Sequence, residues 1–197
     1  MIRLLTAFLA LILATSAAAA TNYAARLAPL LDPTKLATLG PRGANPRVQK
    51  AVYWLAVARQ QGQKPEAVLE RALAGKMSGD AAKLTREALL RNLDIAQKLG
   101  CLDADGLAEM RKGNAPTIRR GPYRGDQLSV DHIIPRSLAP ELDNVIANLE
   151  LMPQRVNAGK RDRVGERQVA LARKFHKAGL LSISGLGTVR AASGNGR

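Results

Sequence analysis

Asp131 and His132 stand side by side, with Pro135 shortly after them, and Asn148, Asn157 and Lys160 follow within thirty residues. His132 is one of only two histidines in the chain. Neighbouring side chains on an extended backbone point to opposite sides. One of the pair can therefore face a bound metal while the other faces a substrate beside it. Asn157, further along, could offer its amide oxygen to the same site as Asp131. A carboxylate and an amide oxygen are hard donors, and completed by water they suit Mg²⁺ or Mn²⁺ better than a closed zinc site. An imidazole, with its ordinary pKa near 6.5, is the side chain best suited to take a proton from water at neutral pH. Arg124, Arg136 and Arg155 lie in and around the segment, so the chemistry indicated is hydrolysis of a phosphodiester.

Such a set needs elements to position it. Leu128-Ser129-Val130 reads as a short strand that delivers Asp131 and His132, and Pro135 ends regular pairing. Pro140 and Asp143-Asn144 mark a loop, and Asn148 to Met152 alternates as a second strand. Pro153 suits the first turn of a helix that carries Asn157 and Lys160. The local order is strand, loop, strand, helix.

In this order, Asp131-His132-Ile133-Ile134-Pro135, then Asn148-Leu149, then Asn157-Ala158-Gly159-Lys160 resembles the HNH (ββα-metal) endonuclease motif in its His-Asn-Asn form. The nine residues from Asn148 to Asn157 fit that motif, and the sixteen from His132 to Asn148 span a loop of variable length in the family. The resemblance covers roughly residues 124–163. It implies that His132 is the general base and that Asp131 and Asn157 hold one divalent metal ion, Mg or Mn. It implies that Asn148 braces the loop carrying His132; Asn144 competes for that role. Lys160 would sit near substrate phosphates, as would Arg136 and Arg155 by charge alone. Many family members carry CxxC pairs that bind a structural zinc. This chain has a single cysteine, Cys101, read as a small apolar residue just past a helix end. Its module needs other support, and packing on the rest of the chain is the candidate.

Composition agrees with a polyanionic partner. The 197 residues include 30 Lys and Arg against 16 Asp and Glu, a formal charge of +14. Residues 44–110 hold ten basic and eight acidic side chains, whereas 111–197 hold sixteen and seven, so the positive field belongs to the half with the candidate site. Aromatics make up 3% of the chain, too few for a platform stacking successive bases. Affinity for nucleic acid, with DNA favoured over RNA, should come mainly from phosphate contacts and tolerate sequence.

Residues 1–20 have the layout of a secretory signal: Arg3, an apolar run from Leu4 to Ala14, then small residues. Cleavage is expected near Ala18 to Ala20, giving an exported, periplasmic or secreted protein without stable membrane insertion. Residues 21–112 carry helical patterns: Asn45 caps and Pro46 opens a helix with Val48, Val52 and Leu55 on one face, Pro65 opens a second, and further helices run from near Ser78 to Leu99 and from about Asp105 to Lys112. Asp103 to Gly106 reads as a helix cap rather than a calcium loop, and Tyr53 and Trp54 as core. Residues 113–180 form the candidate module with a basic helix from Val164 to Lys177, and His176 is read as a surface residue of that helix. Residues 181–197, rich in glycine and serine, are expected to be a flexible tail. The expected fold is α+β and predominantly helical. Rival functions are a non-catalytic nucleic-acid-binding protein with a degenerate module, or an envelope interaction protein whose charge meets anionic lipid or polymer.

Overall fold

A computed structural model describes residues 23–32, 43–160 and 163–194; the expected signal segment lies outside the described residues. In chain order the elements are a short helix α1 (23–27), α2 (Pro46–Gln60), α3 (Pro65–Leu73), α4 (Gly79–Lys98), α5 (Ala104–Lys112), β1 (Leu128–His132), β2 (Leu149–Pro153), α6 (Gln154–Lys160), α7 (Glu166–Lys177) and α8 (Ile183–Gly194). The fold is α+β and predominantly helical. Its sheet is one antiparallel pair in which Leu128 faces Pro153, Val130 faces Leu151, Asp131 faces Glu150 and His132 faces Leu149.

The helical half forms where its local signals place it. The Asn45 side chain accepts from the backbone N–H of Arg47 at 3.1 Å and of Val48 at 3.3 Å, satisfying two donors that the first turn of α2 leaves open. Asp103 does the same for Gly106 at 2.8 Å. Val48, Val52 and Leu55 then bury their common face, and Tyr53 and Trp54 pack edge-on at its border. The same core takes in Leu128, Val130, Leu149 and Leu151 from the inner face of the sheet. A second core gathers Ile134, Leu142 and Ala147 from the loop between the strands with Phe175 of α7 and Leu186 and Val189 of α8.

A lone two-stranded ribbon is marginal in water, because each outer edge offers unpaired backbone groups. Here helices complete both edges. Gln49 of α2 donates its side-chain N–H to the Leu128 carbonyl at 3.0 Å. Fully buried Asn92 of α4 donates to the Leu149 carbonyl at 3.0 Å and accepts from the Leu151 N–H at 2.9 Å, so one side-chain amide stands in for a neighbouring strand. These contacts tie the strand pair to the helical half.

The C-terminal residues differ from expectation. Instead of a flexible tail, residues 183–194 form α8, with Leu186 and Val189 buried at helical spacing against α7. Each internal glycine lowers helix stability by roughly 1 kcal/mol, but burial of the apolar pair overrides that local preference. Gly185 lies close to its neighbours: a Cβ there would lie 2.3 Å from Glu141 Oε1 and 2.6 Å from Leu181 Cδ1, ends of flexible side chains that would have to turn aside. Glu141 also receives the Ser182 hydroxyl at 2.7 Å, tying the start of α8 to the loop between the strands.

Cys101 is fully buried just past α4, and burial pushes its thiol up to about 12, with Asp103 adding to the shift. The folded chain therefore keeps a proton that an unfolded thiol loses above about 8.5. The corresponding stability is complete below that pH and is lost as pH climbs towards 12. Thermal melts between pH 8 and 10.5 are expected to fall less steeply for Cys101→Ala than for the parent chain. An equal slope in the two would place the thiol in an accessible, ionisable position instead.

Candidate functional site

The alternation of β1 sends Ser129 and Asp131 to the outer face of the sheet, where their cross-strand partners are Met152 and Glu150. Helix α6 covers that face. Its first turn is fastened by the Gln127 carbonyl, which accepts from Gln154 N at 2.9 Å, and by the Asp126 carboxylate, which accepts from Arg155 N at 3.0 Å. Desolvation would raise the Asp126 pKa, but hydrogen bonds from the Arg155 and Gln127 backbone and from the Arg155 guanidinium outweigh it and hold the carboxyl below its ordinary value.

From this anchored start, α6 lays two side chains along β1. Asn157 donates through Nδ2 to Ser129 Oγ at 3.3 Å and to the Val130 carbonyl at 3.4 Å. Because the Val130 carbonyl can only accept, the amide nitrogen faces it and the Asn157 oxygen points elsewhere. One turn later Lys160 places its ammonium between Asp131 Oδ2 and the His132 carbonyl, the latter at 2.6 Å. Asp131 and Asn157 thus share the face between sheet and helix without touching: Lys160 is the partner of Asp131, and Ser129 and Val130 are the partners of Asn157.

His132 ends β1 with 19% of its side chain exposed. Its Nε2 lies 2.9 Å from the Asp143 carbonyl oxygen and 3.0 Å from Asp143 Oδ1. Both neighbours are acceptors, so Nε2 carries the hydrogen, and in the neutral ring Nδ1 carries the lone pair. Asp143 therefore fixes both the tautomer and the orientation of the ring.

The loop bearing Asp143 is held from two sides. Asn148, fully buried at the end of a 3₁₀ turn (Ile146–Asn148), accepts from Ile134 N at 2.8 Å and donates to the Ile134 carbonyl at 3.0 Å. Its backbone carbonyl accepts from Ile133 N at 2.8 Å, so it ties the residues after His132 to the residues before β2. From the helical half, Arg47 donates to the Asn144 carbonyl at 3.1 Å and to Asn144 Oδ1 at 2.5 Å, and also to the carbonyls of Leu30 at 2.9 Å and Asp32 at 2.8 Å. Burial lowers the Arg47 pKa, with Asp32 opposing the shift. Asn144 belongs to this clamp, and Asn148 is the side chain that bridges the loop.

Glu150, opposite Asp131, is 8% exposed and is shared by two guanidiniums: Arg91 Nε of α4 at 2.8 Å and Arg167 of α7 at 2.5 Å. Burial holds Arg91 below its ordinary pKa; Glu150 opposes that shift and Arg167 adds to it.

Of the residues singled out from sequence, Asp131, His132, Asn148, Asn157 and Lys160 come together around the end of β1. Arg136 is exposed at the rim, 4.0 Å from Asp143. Arg155 is not part of the cluster: its Nε lies 3.3 Å from Asp126 and its guanidinium 5.9 Å from the centre of the Tyr123 ring, at the other end of the strand pair. Asp143, Arg47, Glu150, Arg91 and Arg167 were not singled out as site residues. Asp143 looks like a turn marker. A hint existed for Arg47, since a cation in the first turn of a helix opposes the helix dipole and is stable there only if committed elsewhere.

Among the described residues no three His, Cys, Asp or Glu side chains converge as a metal cage. The Asp131 carboxylate and the His132 carbonyl, both hard oxygen donors, are met by the Lys160 ammonium. Comparison of the chain with protein-family models, with curated proteins and with solved structures finds no match in any of the three.

Proposed function

We propose that the chain hydrolyses phosphodiester bonds of nucleic acid with a divalent metal ion, as an HNH-type endonuclease. The observation that carries this reading is His132, held through Nε2 by Asp143 so that Nδ1 is the free base, next to an Asp131 whose carboxylate attracts a cation. In this reading Nδ1 of His132 takes the proton from the water that attacks phosphorus. Asp143 keeps the ring aimed, and Asn148 and Arg47 keep Asp143 in place. Asp131, once released from Lys160, and Asn157, once its amide turns to present oxygen, would hold the Mg²⁺ or Mn²⁺ ion, which when bound supplies charge stabilisation at the phosphate and the leaving oxygen. Lys160 and Arg136 contact substrate phosphates. Arg155, committed to Asp126, has no role in this step. The signal-like N-terminus supports action outside the cytoplasm, and the basic C-terminal half supports weak sequence preference.

The test is plasmid and oligonucleotide cleavage across DNA and RNA, single and double stranded. Nicking is expected with Mg²⁺ or Mn²⁺ and none after EDTA. Folded, metal-supplied protein that leaves every substrate intact would sink the reading and favour the alternative, a module that binds nucleic acid without cutting it.

Lys160 sets a more specific expectation. Its ammonium occupies the carboxylate that a metal would use, so Lys160→Met should bind Mn²⁺ several-fold more tightly in calorimetric titration without nucleic acid. The same variant should bind DNA more weakly, with the slope of log affinity against log salt reduced by about one. Unchanged Mn²⁺ affinity would show that the lysine and the metal do not compete.

A further inference from the structure

Arg91 and Arg167 are more than a tie for Glu150. One carboxylate between two guanidiniums leaves positive charge in surplus, and the Arg167 side chain is 59% exposed. The charge continues away from the candidate site. On α4, Lys83, Glu87 and Arg91 recur every fourth residue and so share one face. Lys174 of α7 lies across from them, lining one cleft of about 190 Å³ with Lys83, Glu87 and Lys177. Lys177 is engaged by Asp80 at 3.4 Å, whereas neither Lys83 nor Lys174 has an ion-pair partner among the described residues. The whole seam carries five cations against three carboxylates, Asp80, Glu87 and Glu150.

We propose that this seam between α4 and α7 is a track for the sugar-phosphate backbone of a nucleic acid, leading from the face that bears Asp131 and Glu150 towards the start of α4. The proposal rests on reading the candidate site as one that handles nucleic acid, and it gives the helical half a share in binding. From Lys83 to Arg91 the track rises about 12 Å, the length of three to four phosphates of a duplex strand at about 3.4 Å each. Glu150 sits under the two arginines and sets their direction. Lys83 and Lys174, exposed and without an ion-pair partner among the described residues, supply the charge at the far end.

The experiment is fluorescence anisotropy of a labelled 20-base-pair DNA with the full chain in EDTA, over a salt series. Arg167→Gln/Lys174→Gln is expected to weaken binding about tenfold near 0.1 M salt and to lower the slope of log affinity against log salt by about two. Lys174→Gln alone, which leaves the Glu150 tie intact, should lower the slope by about one. A control that removes two exposed cations outside the seam, Arg71→Gln/Arg111→Gln, should lose clearly less. Parent-like affinity and slope in the seam variants, or an equal loss in the control, overturns the proposal. Binding in EDTA is read independently of cleavage. A chain that binds through the seam but cuts nothing sinks the nuclease reading alone, and one that cuts while ignoring the seam changes sinks the track alone.

Discussion

His132→Ala is expected to lower the rate of metal-dependent DNA cleavage by about 10²–10⁴-fold while leaving DNA affinity near that of the parent. The size of the effect follows from the loss of the ring whose Nε2–H is engaged by Asp143, leaving Nδ1 to take the proton. The fold should tolerate the change. The His132 carbonyl that receives Lys160 is backbone and remains, and the Asp143 carboxylate, 47% exposed, can turn to water. Thermal unfolding of the variant should therefore stay within a few degrees of the parent, a shift of about 1 kcal/mol or less. Cleavage at the parental rate by the purified variant would remove His132 from the reaction. Asp143→Asn offers a graded companion: the backbone carbonyl still holds Nε2, so cleavage should fall by less than in His132→Ala.

Asn148→Ala should be the most destabilising single change at the site, by about 3–5 kcal/mol. The side chain is fully buried and serves both the N–H and the carbonyl of Ile134, whose surroundings are also closed to water. Truncation leaves two buried backbone groups unsatisfied, each costing roughly 1–3 kcal/mol, together with a small cavity. Asn148→Asp should be no better, since a carboxylate would face the carbonyls of Ile134 at 3.0 Å and Leu142 at 3.5 Å. Denaturant midpoints measure the loss, and hydrogen exchange at the Ile134 amide locates it. Cleavage should fall even where the variant is folded, because the loop that presents Asp143 loses its bridge. A midpoint within experimental error of the parent would mean that the loop is held by something else.

Much of the architecture was legible because its signals are local. Asn45 with Pro46, and Asp103 ahead of α5, announce helix starts within three residues of the groups they satisfy. The alternation of β1 and β2, with Pro153 closing β2 just ahead of α6, made the strand, loop, strand, helix order legible, with boundaries one or two residues off. The gathering of Asp131, His132, Asn148, Asn157 and Lys160 was legible as spacing. Its finer pairing was not, because a carboxylate can be met equally by an amide or by an ammonium one turn further along the same helix. Arg155 was placed by charge alone, and charge alone does not reveal that Asp126 already claims it. The other supporting residues act over long separations: Asp143 on His132 over eleven residues, Asn92 on Leu149 over fifty-seven, and Arg47 on Asn144 over ninety-seven. No periodicity marks such contacts. In α8 the local signal pointed the wrong way, since glycine content was outweighed by two buried side chains on α7.

The amide of Asn92 also bears on what counts as a unit of this protein. A boundary drawn near residue 113 separates the helices from the module in the sequence, yet β2 has no complete hydrogen-bond ladder without α4, nor β1 without α2. Cut there, the Leu149 carbonyl and the Leu151 N–H would lose Asn92, and the outer edge of β2 would be open to a strand from another molecule. The strand pair therefore depends on the helical half for these partners, and the segment with the candidate site is not expected to fold as a free-standing cassette. Any rearrangement of this chain with other domains would have to carry α2 and α4 along with it.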